Sequence, residues 1–413
     1  MYKIVFSAKM GKQPGYFGIV QNRKEHSFMC SRSSNRSSNF EMIRIIAMLM
    51  IIGYHLAIHG VSLYQDPDTW FAGSAVNQIF TCFLVPGGQI GVALFFMITG
   101  YFQINRKRGS LKRVLLETCF YGVLLFALYE ICHRLGMTDS VDPLTALQYL
   151  LTPVTGGGWW FITAYVFLML MSPVLNAAAG KLNRRGYRLL LLIMWFFWYS
   201  LAKFGAPYNS LRRAIFFYAV GGYIRLYGSR YKTGEDRAMA AMLFCVFWMF
   251  SVLLYCVKAD WTYYTQDADP AVWEETLQTQ ILPMINIAVC VPGCAVTLFG
   301  LFESADLGKN PVINRIAATT FGIYLLHDSP FVRSLLWQNL FQVDTVLYQK
   351  PLFPLYALLI IAAIFCAGSL IDAVRIRWIE PAALRQADRW EARWKKKYLK
   401  AEKSSPERRS QRP

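Results

Sequence analysis

Two residues in the first long apolar stretch of the chain, Arg44 and His55 within Phe40 to Gly60, are of types that membrane-spanning sequence seldom carries. An ionisable group in hydrocarbon is costly, so it points into a bundle interior or a wet cavity and marks a functional site by default. Their separation of eleven residues is about three helical turns, which puts both side chains on one face, roughly 16 Å apart along the axis. A guanidinium matches phosphate geometry, and an imidazole takes a proton from a hydroxyl and returns it to a leaving group. Blander roles suit the same types. An Arg near a helix end snorkels to lipid headgroups, and a lone intramembrane His hydrogen-bonds a neighbouring helix.

The composition says what must position them. Of 413 residues, 55% are hydrophobic and only 16% charged, well below the quarter typical of soluble domains, so the chain reads as an all-α polytopic membrane protein. A formal charge of +18 would suit a nucleic-acid partner. Here Lys and Arg cluster in short segments between apolar runs, which the positive-inside rule explains without nucleic acid.

The apolar runs predict about ten transmembrane helices, near 40–61, 87–104, 113–133, 157–177, 187–204, 210–228, 238–258, 279–302, 315–337 and 352–379. Arg106, Lys107, Arg108, Lys112 and Arg113 follow the second; Lys181, Arg184, Arg185 and Arg188 the fourth; Arg225, Arg230, Lys232 and Arg237 the sixth. These basic loops belong to the cytoplasmic side, and the acidic ones (Asp66 and Asp68; Asp139 and Asp142; Asp260 to Glu275) face outward. Lys203, Arg212 and Arg213 run against that pattern.

An even number of spans puts both termini in the cytoplasm of a multi-pass cell-membrane protein. Residues 1–39 form a polar, Ser-rich, basic tail, expected to be disordered and without signal-peptide architecture. Residues 40–380 form the transmembrane domain, and 381–413 a basic C-terminal tail. In that tail Trp390, Trp394 and Lys395 to Lys397 fit either a solvated charged segment or one lying on anionic headgroups. Nine cysteines give no metal or redox framework: no CxxC occurs, and the i, i+4 spacing of Cys290 and Cys294 suits packing. No metal is expected.

Counting residues from the cytoplasmic ends compares depths. His55 lies about fifteen residues into the first helix, Glu130 seventeen into the third and His327-Asp328 twelve into the ninth, within roughly 8 Å of one another in height. These residues can share a cavity in the outer half, with Arg44 and Glu117 at a lower level. A His steadied by a carboxylate suits acyl transfer, and a cation below it suits a phosphorylated donor such as coenzyme A. The same groups also suit a proton relay in transport.

Four segments carry a resemblance. Asn39 to Arg44 running on to His55, with ten residues between Arg and His, resembles the opening helix of the acyltransferase 3 family of integral-membrane acyltransferases. Gly91 to Tyr101, containing Phe95-Phe96 and Thr99-Gly100, is similar to its FFxxSG segment, followed by a basic loop with Arg106, Arg108, Lys112 and Arg113. Trp159-Trp160-Phe161 through Ser172-Pro173 resembles its tryptophan-rich helix, and Phe321 to His327 its late Tyr-Leu-x-His helix. The likeness spans roughly residues 39 to 375. It departs at Thr99, where Ser is usual, and in lacking the proline that often follows the basic loop.

The resemblance implies transfer of an acyl group, commonly acetyl, from cytoplasmic acyl-CoA to a hydroxyl of an extracytoplasmic or lipid-linked glycan. His55 would be the catalytic base or transient acyl carrier, with His327, and from its depth Glu130, beside it. Arg44, Arg106, Arg108 and Arg113 would serve the donor, and Trp159, Trp160 and Tyr324 the substrate. Alternatives are a proton-coupled transporter or lipid-linked sugar flippase, which internal repeats would favour though none is evident, and a sensing module.

Overall fold

In the computed structural model, residues 37–61, 67–106, 111–136, 147, 154, 158–197, 210–228, 231–264 and 285–404 are described. Every regular element among them is helical. In chain order the principal helices are α1 (Ser38–His55), α2 (Ala75–Leu84), α3 (Pro86–Gln103), α4 (Lys112–Arg134), α5 (Trp160–Ala179), α6 (Arg184–Trp195) and α7 (Ser210–Tyr227). They continue with α8 (Gly234–Tyr264), α9 (Val291–Glu303), α10 (Pro311–Ala317), α11 (Thr320–His327), α12 (Phe353–Val374) and α13 (Glu380–Ser404). Wider π turns prolong α1 through Leu56–Gly60, precede α9 at Asn286–Cys290 and join α12 to α13 at Arg375–Ile379.

Among the described residues, seven segments are long and apolar enough to cross a bilayer: Ser38–Gly60, Ala75–Gln103, Lys112–Arg134, Trp160–Ala179, Gly234–Ala259, Asn286–Glu303 and Phe353–Lys397. Three of the ten expected runs look different. That at 187–204 starts as α6, and its end lies outside the described residues. Helix α7 forms as expected over 210–228, but with Arg212, Arg213 and Arg225 it is less apolar than a lipid-facing span. It is buried almost all round instead, which makes it an interior helix.

The run at 315–337 is not one helix. The chain turns between α10 and α11, where the Thr319 hydroxyl donates to Ile316 O at 2.7 Å and the Thr320 hydroxyl to Ala317 O at 2.9 Å. It leaves α11 at His327 because Pro330 has no N–H and drives Ser329 away from helical geometry. The break leaves Asp328 as the last residue on the helix ladder, its N–H donating to Tyr324 O at 3.1 Å. The second expected helix, by contrast, is longer than its apolar core, since Pro86 fits the first turn of α3 and lets α2 lead straight into it.

Helices α1, α3 and α7 form the centre. Gly100 and Gly221 let α3 and α7 meet backbone to backbone: a Cβ on Gly100 would strike the carbonyl of Tyr218, and one on Gly221 that of Met97. Small residues permit such approach between membrane helices, where dispersion rather than water exclusion holds them. The start of α1 is pinned by the end of α9 and by α10, as Asn39 Nδ2 donates to Phe302 O at 2.8 Å and Ser38 Oγ to Asn314 Oδ1 at 3.1 Å. Outer faces such as Met242, Val246, Met249 and Leu253 of α8 and Leu355, Leu358 and Leu359 of α12 are exposed and apolar, as contact with lipid requires.

Candidate active site

A cavity of about 210 Å³ lies between α1, α3, α4, α5 and the broken α10–α11 segment. Arg44, Arg113, Glu117 and Thr99 line it at one level, and Ile51, Phe161 and Tyr324 at another. Arg44 and Ile51 are seven residues apart on α1, so the cavity runs about 10 Å along that helix. Its middle wall is apolar, with Met48, Val92, Phe95 and Phe321.

Both cations at the lower level carry a carboxylate. Glu41 pairs with Arg44 across one turn of α1, and Glu380 lies 2.6 Å from Arg113 Nε. Behind them is a buried ionic cluster. The Arg375 guanidinium donates to Asp372 at 2.6 Å and to Glu380 at 3.0 Å, and lies 2.8 Å from Glu117. The Tyr121 hydroxyl donates to Asp372 at 2.8 Å. These residues tie α4, α12 and the π turn after it together, at the height where Arg113 and Glu117 reach the cavity.

One turn above Ile51 stands His55, 6% exposed, with His327, 3% exposed, against it. His327 Nδ1 is 2.6 Å from the carbonyl of Ile323, which only accepts, so this nitrogen carries the proton. In the neutral ring Nε2 then accepts, and it does so from His55 Nδ1 at 2.9 Å. The lone pair of His55 is left on Nε2. Asp328 Oδ1 is 3.6 Å from that atom and 3.9 Å from His59 Nε2, and Arg333 donates to the same oxygen at 2.8 Å.

The helix break therefore supplies the carboxylate. Glu130 is half-buried on α4, whereas the acid beside His55 is Asp328, at the end of α11. Depth along a helix fixes height but not direction, and only the fold tells the two acids apart. Tyr324, one turn before Asp328, is 6% exposed and lines the cavity, and its ring stands edge-on to that of His327 at 6.4 Å between centroids, linking the cavity to the histidines.

Of the remaining expected site residues, Arg44, Arg113 and Tyr324 line the cavity. Arg106 is exposed, and its carbonyl accepts from Asn176 at 2.9 Å. Arg108 lies outside the described residues. Trp159 is buried and Trp160 lies 5.6 Å from the Arg213 guanidinium, while their neighbour Phe161 is the one of the three that reaches the cavity. His59, Asp328 and Arg333 complete the cluster. The His327-Asp328 dipeptide announces the carboxylate and the i, i+4 spacing of His55 and His59 the second imidazole, while Arg333 leaves no separate signal.

The described residues thus form a helical membrane bundle with a cation-lined cavity and a buried histidine pair above it. The family model described as an acyltransferase domain, that of the acyltransferase 3 family, matches residues 38–372, and the chain belongs to that family. No curated protein and no solved structure matches the chain.

Proposed function

We propose that this membrane acyltransferase moves an acyl group, acetyl foremost, from cytoplasmic acyl-CoA to a hydroxyl of an extracytoplasmic or lipid-linked glycan. Ten membrane passes and two cytoplasmic termini complete this reading. The observation that carries it is the line from Arg44 and Arg113 through an apolar cavity to Tyr324, with the free lone pair of His55 one turn beyond Ile51.

The cavity is smaller than the roughly 300–1,000 Å³ usual for small-molecule sites, so it suits the acyl-thioester arm of a donor while the nucleotide stays outside by the arginines. In direct transfer His55 Nε2 takes the proton of the acceptor hydroxyl as its oxygen attacks the thioester carbonyl. The C–S bond breaks, and the imidazolium returns the proton to the departing thiolate. In stepwise transfer Nε2 itself attacks, the C–S bond breaks and the thiolate leaves, and the acceptor oxygen then displaces the neutral imidazole as the hydroxyl proton passes to the thiolate. Asp328 stabilises the cationic ring in either route, as a carboxylate beside a catalytic His does.

Surface-glycan mass spectrometry on cells with the wild-type chain and with His55→Ala tests this. A mass difference of one acyl group, lost in the variant at equal protein level, is expected; identical glycans would overturn the assignment. Buried histidines with a carboxylate also suit a proton relay. Substrate movement without acyl-CoA consumption would favour transport instead.

A further inference from the structure

We infer that His55 Nε2, His59 Nε2 and Asp328 Oδ1 form a binding site for a transition-metal dication, with Zn²⁺ the best fit. The three atoms lie within 4.8 Å of one another, and two of their separations are 3.6 and 3.9 Å. Zinc ligands at about 2.0–2.2 Å, arranged evenly around the ion, stand about 3.5 Å apart, so a small inward movement completes the set. Two imidazoles and one carboxylate are the donor types that zinc prefers, with a further position left for water or an anion.

The surroundings point to a cation as well. A metal-bound imidazole normally donates its other N–H, which fixes the tautomer, and ligating carboxylates are themselves hydrogen-bonded. His55 donates from Nδ1 to His327, which is anchored on Ile323 O, and Asp328 accepts from Arg333. The outcome is a nitrogen lone pair facing a carboxylate oxygen at 3.6 Å, an arrangement that a positive charge between the two atoms relieves. Arg333 already balances Asp328, so an anion in the open position offsets part of the ion's two charges. The π turn Leu56–Gly60 carries His59 on the same side of the helix as His55, and His59 is partly exposed and gives the ion a way in. The i, i+4 spacing of His55 and His59 signals two of the ligands, while the carboxylate comes from the far end of the chain.

The ion and the proton compete for one lone pair, so zinc inhibits acyl transfer. This consequence rests on the acyltransferase reading; binding does not. Detergent-purified full-length protein, with an affinity tag free of histidine, is titrated with Zn²⁺ by calorimetry and with Co²⁺ by visible absorption. One zinc per chain is expected, with a Co²⁺ band that zinc displaces. His59→Gln and Asp328→Asn should each lower affinity at least about 10-fold, the loss that even outer-shell changes bring. A folded wild-type protein that binds no zinc, or binding unchanged in both variants, overturns the site. Zinc bound with acyl transfer undiminished upholds the site and overturns the base role of His55.

Discussion

His327 faces His55 across 2.9 Å and, through its own bond to the Ile323 carbonyl, dictates which nitrogen of His55 is free. One residue sets the tautomer of the other. Helix α11 must end just after His327 for this to work, since the same end brings Asp328 to the other side of the His55 ring.

Replacing His327 by Ala removes the acceptor that holds the His55 proton on Nδ1. The expected result is a fall in kcat of about 10²-fold, at the low end for a misdirected general base, with KM little changed. Steady-state kinetics on the purified protein with a soluble acceptor checks it, and a KM effect alone would contradict a positioning role. His55→Ala should lose more, toward about 10⁴-fold.

Asp328→Asn keeps the shape but removes the charge that steadies the His55 imidazolium. A loss in kcat of about 10²-fold is expected, while Glu130→Gln should leave kcat near wild type. Equal losses in both variants would return the carboxylate role to α4.

Arg44→Lys and Arg113→Lys keep the charge but lose the fork that, on the proposed function, grips the donor's phosphates. Each is expected to raise the KM for the donor by a few fold with kcat nearly unchanged, since an Arg to Lys change at a bidentate site is not conservative. Measured KM values at low and high salt give the second readout: the wild-type preference for low salt should shrink in the variants.

Arg375→Met leaves Glu117, Asp372 and Glu380 with no buried cation beside them. Removing one partner of a buried ion pair costs about 3–5 kcal/mol, so the variant should melt well below wild type in detergent. Melting at the wild-type temperature would mean that water reaches the cluster.

Gly100→Val puts a branched side chain where the Tyr218 backbone passes. Overpacking of this kind costs about 1–3 kcal/mol or more when the obstacle is backbone. The protein is expected to express poorly or run as aggregate on size exclusion.

Much of this was open to the sequence, and the parts that were not share a cause. Arg44, His55 and the Phe95 to Gly100 segment sit on helices whose period fixes their face, and the basic loops mark where those helices end. Glu130 and Asp328 stand at similar heights, yet counting along helices carries no azimuth, so it cannot choose between them. The break between α10 and α11 depends on two threonine hydroxyls that serve backbone carbonyls, a use of Thr that leaves an apolar run looking continuous. The Arg375 cluster joins residues far apart in the chain, and spacing says nothing about such a meeting.

The first turn of α4 holds two things at once. Arg113 faces the cavity and grips Glu380, while its neighbour Lys112 reaches Asp388 at 2.5 Å and Glu391 at 2.6 Å on α13. The trailing helix is thereby strapped to the floor of the cavity, and its removal would leave Arg113 swinging free of its acidic partner. A stretch that looks like a dispensable tail is a brace for the charged end of the cavity.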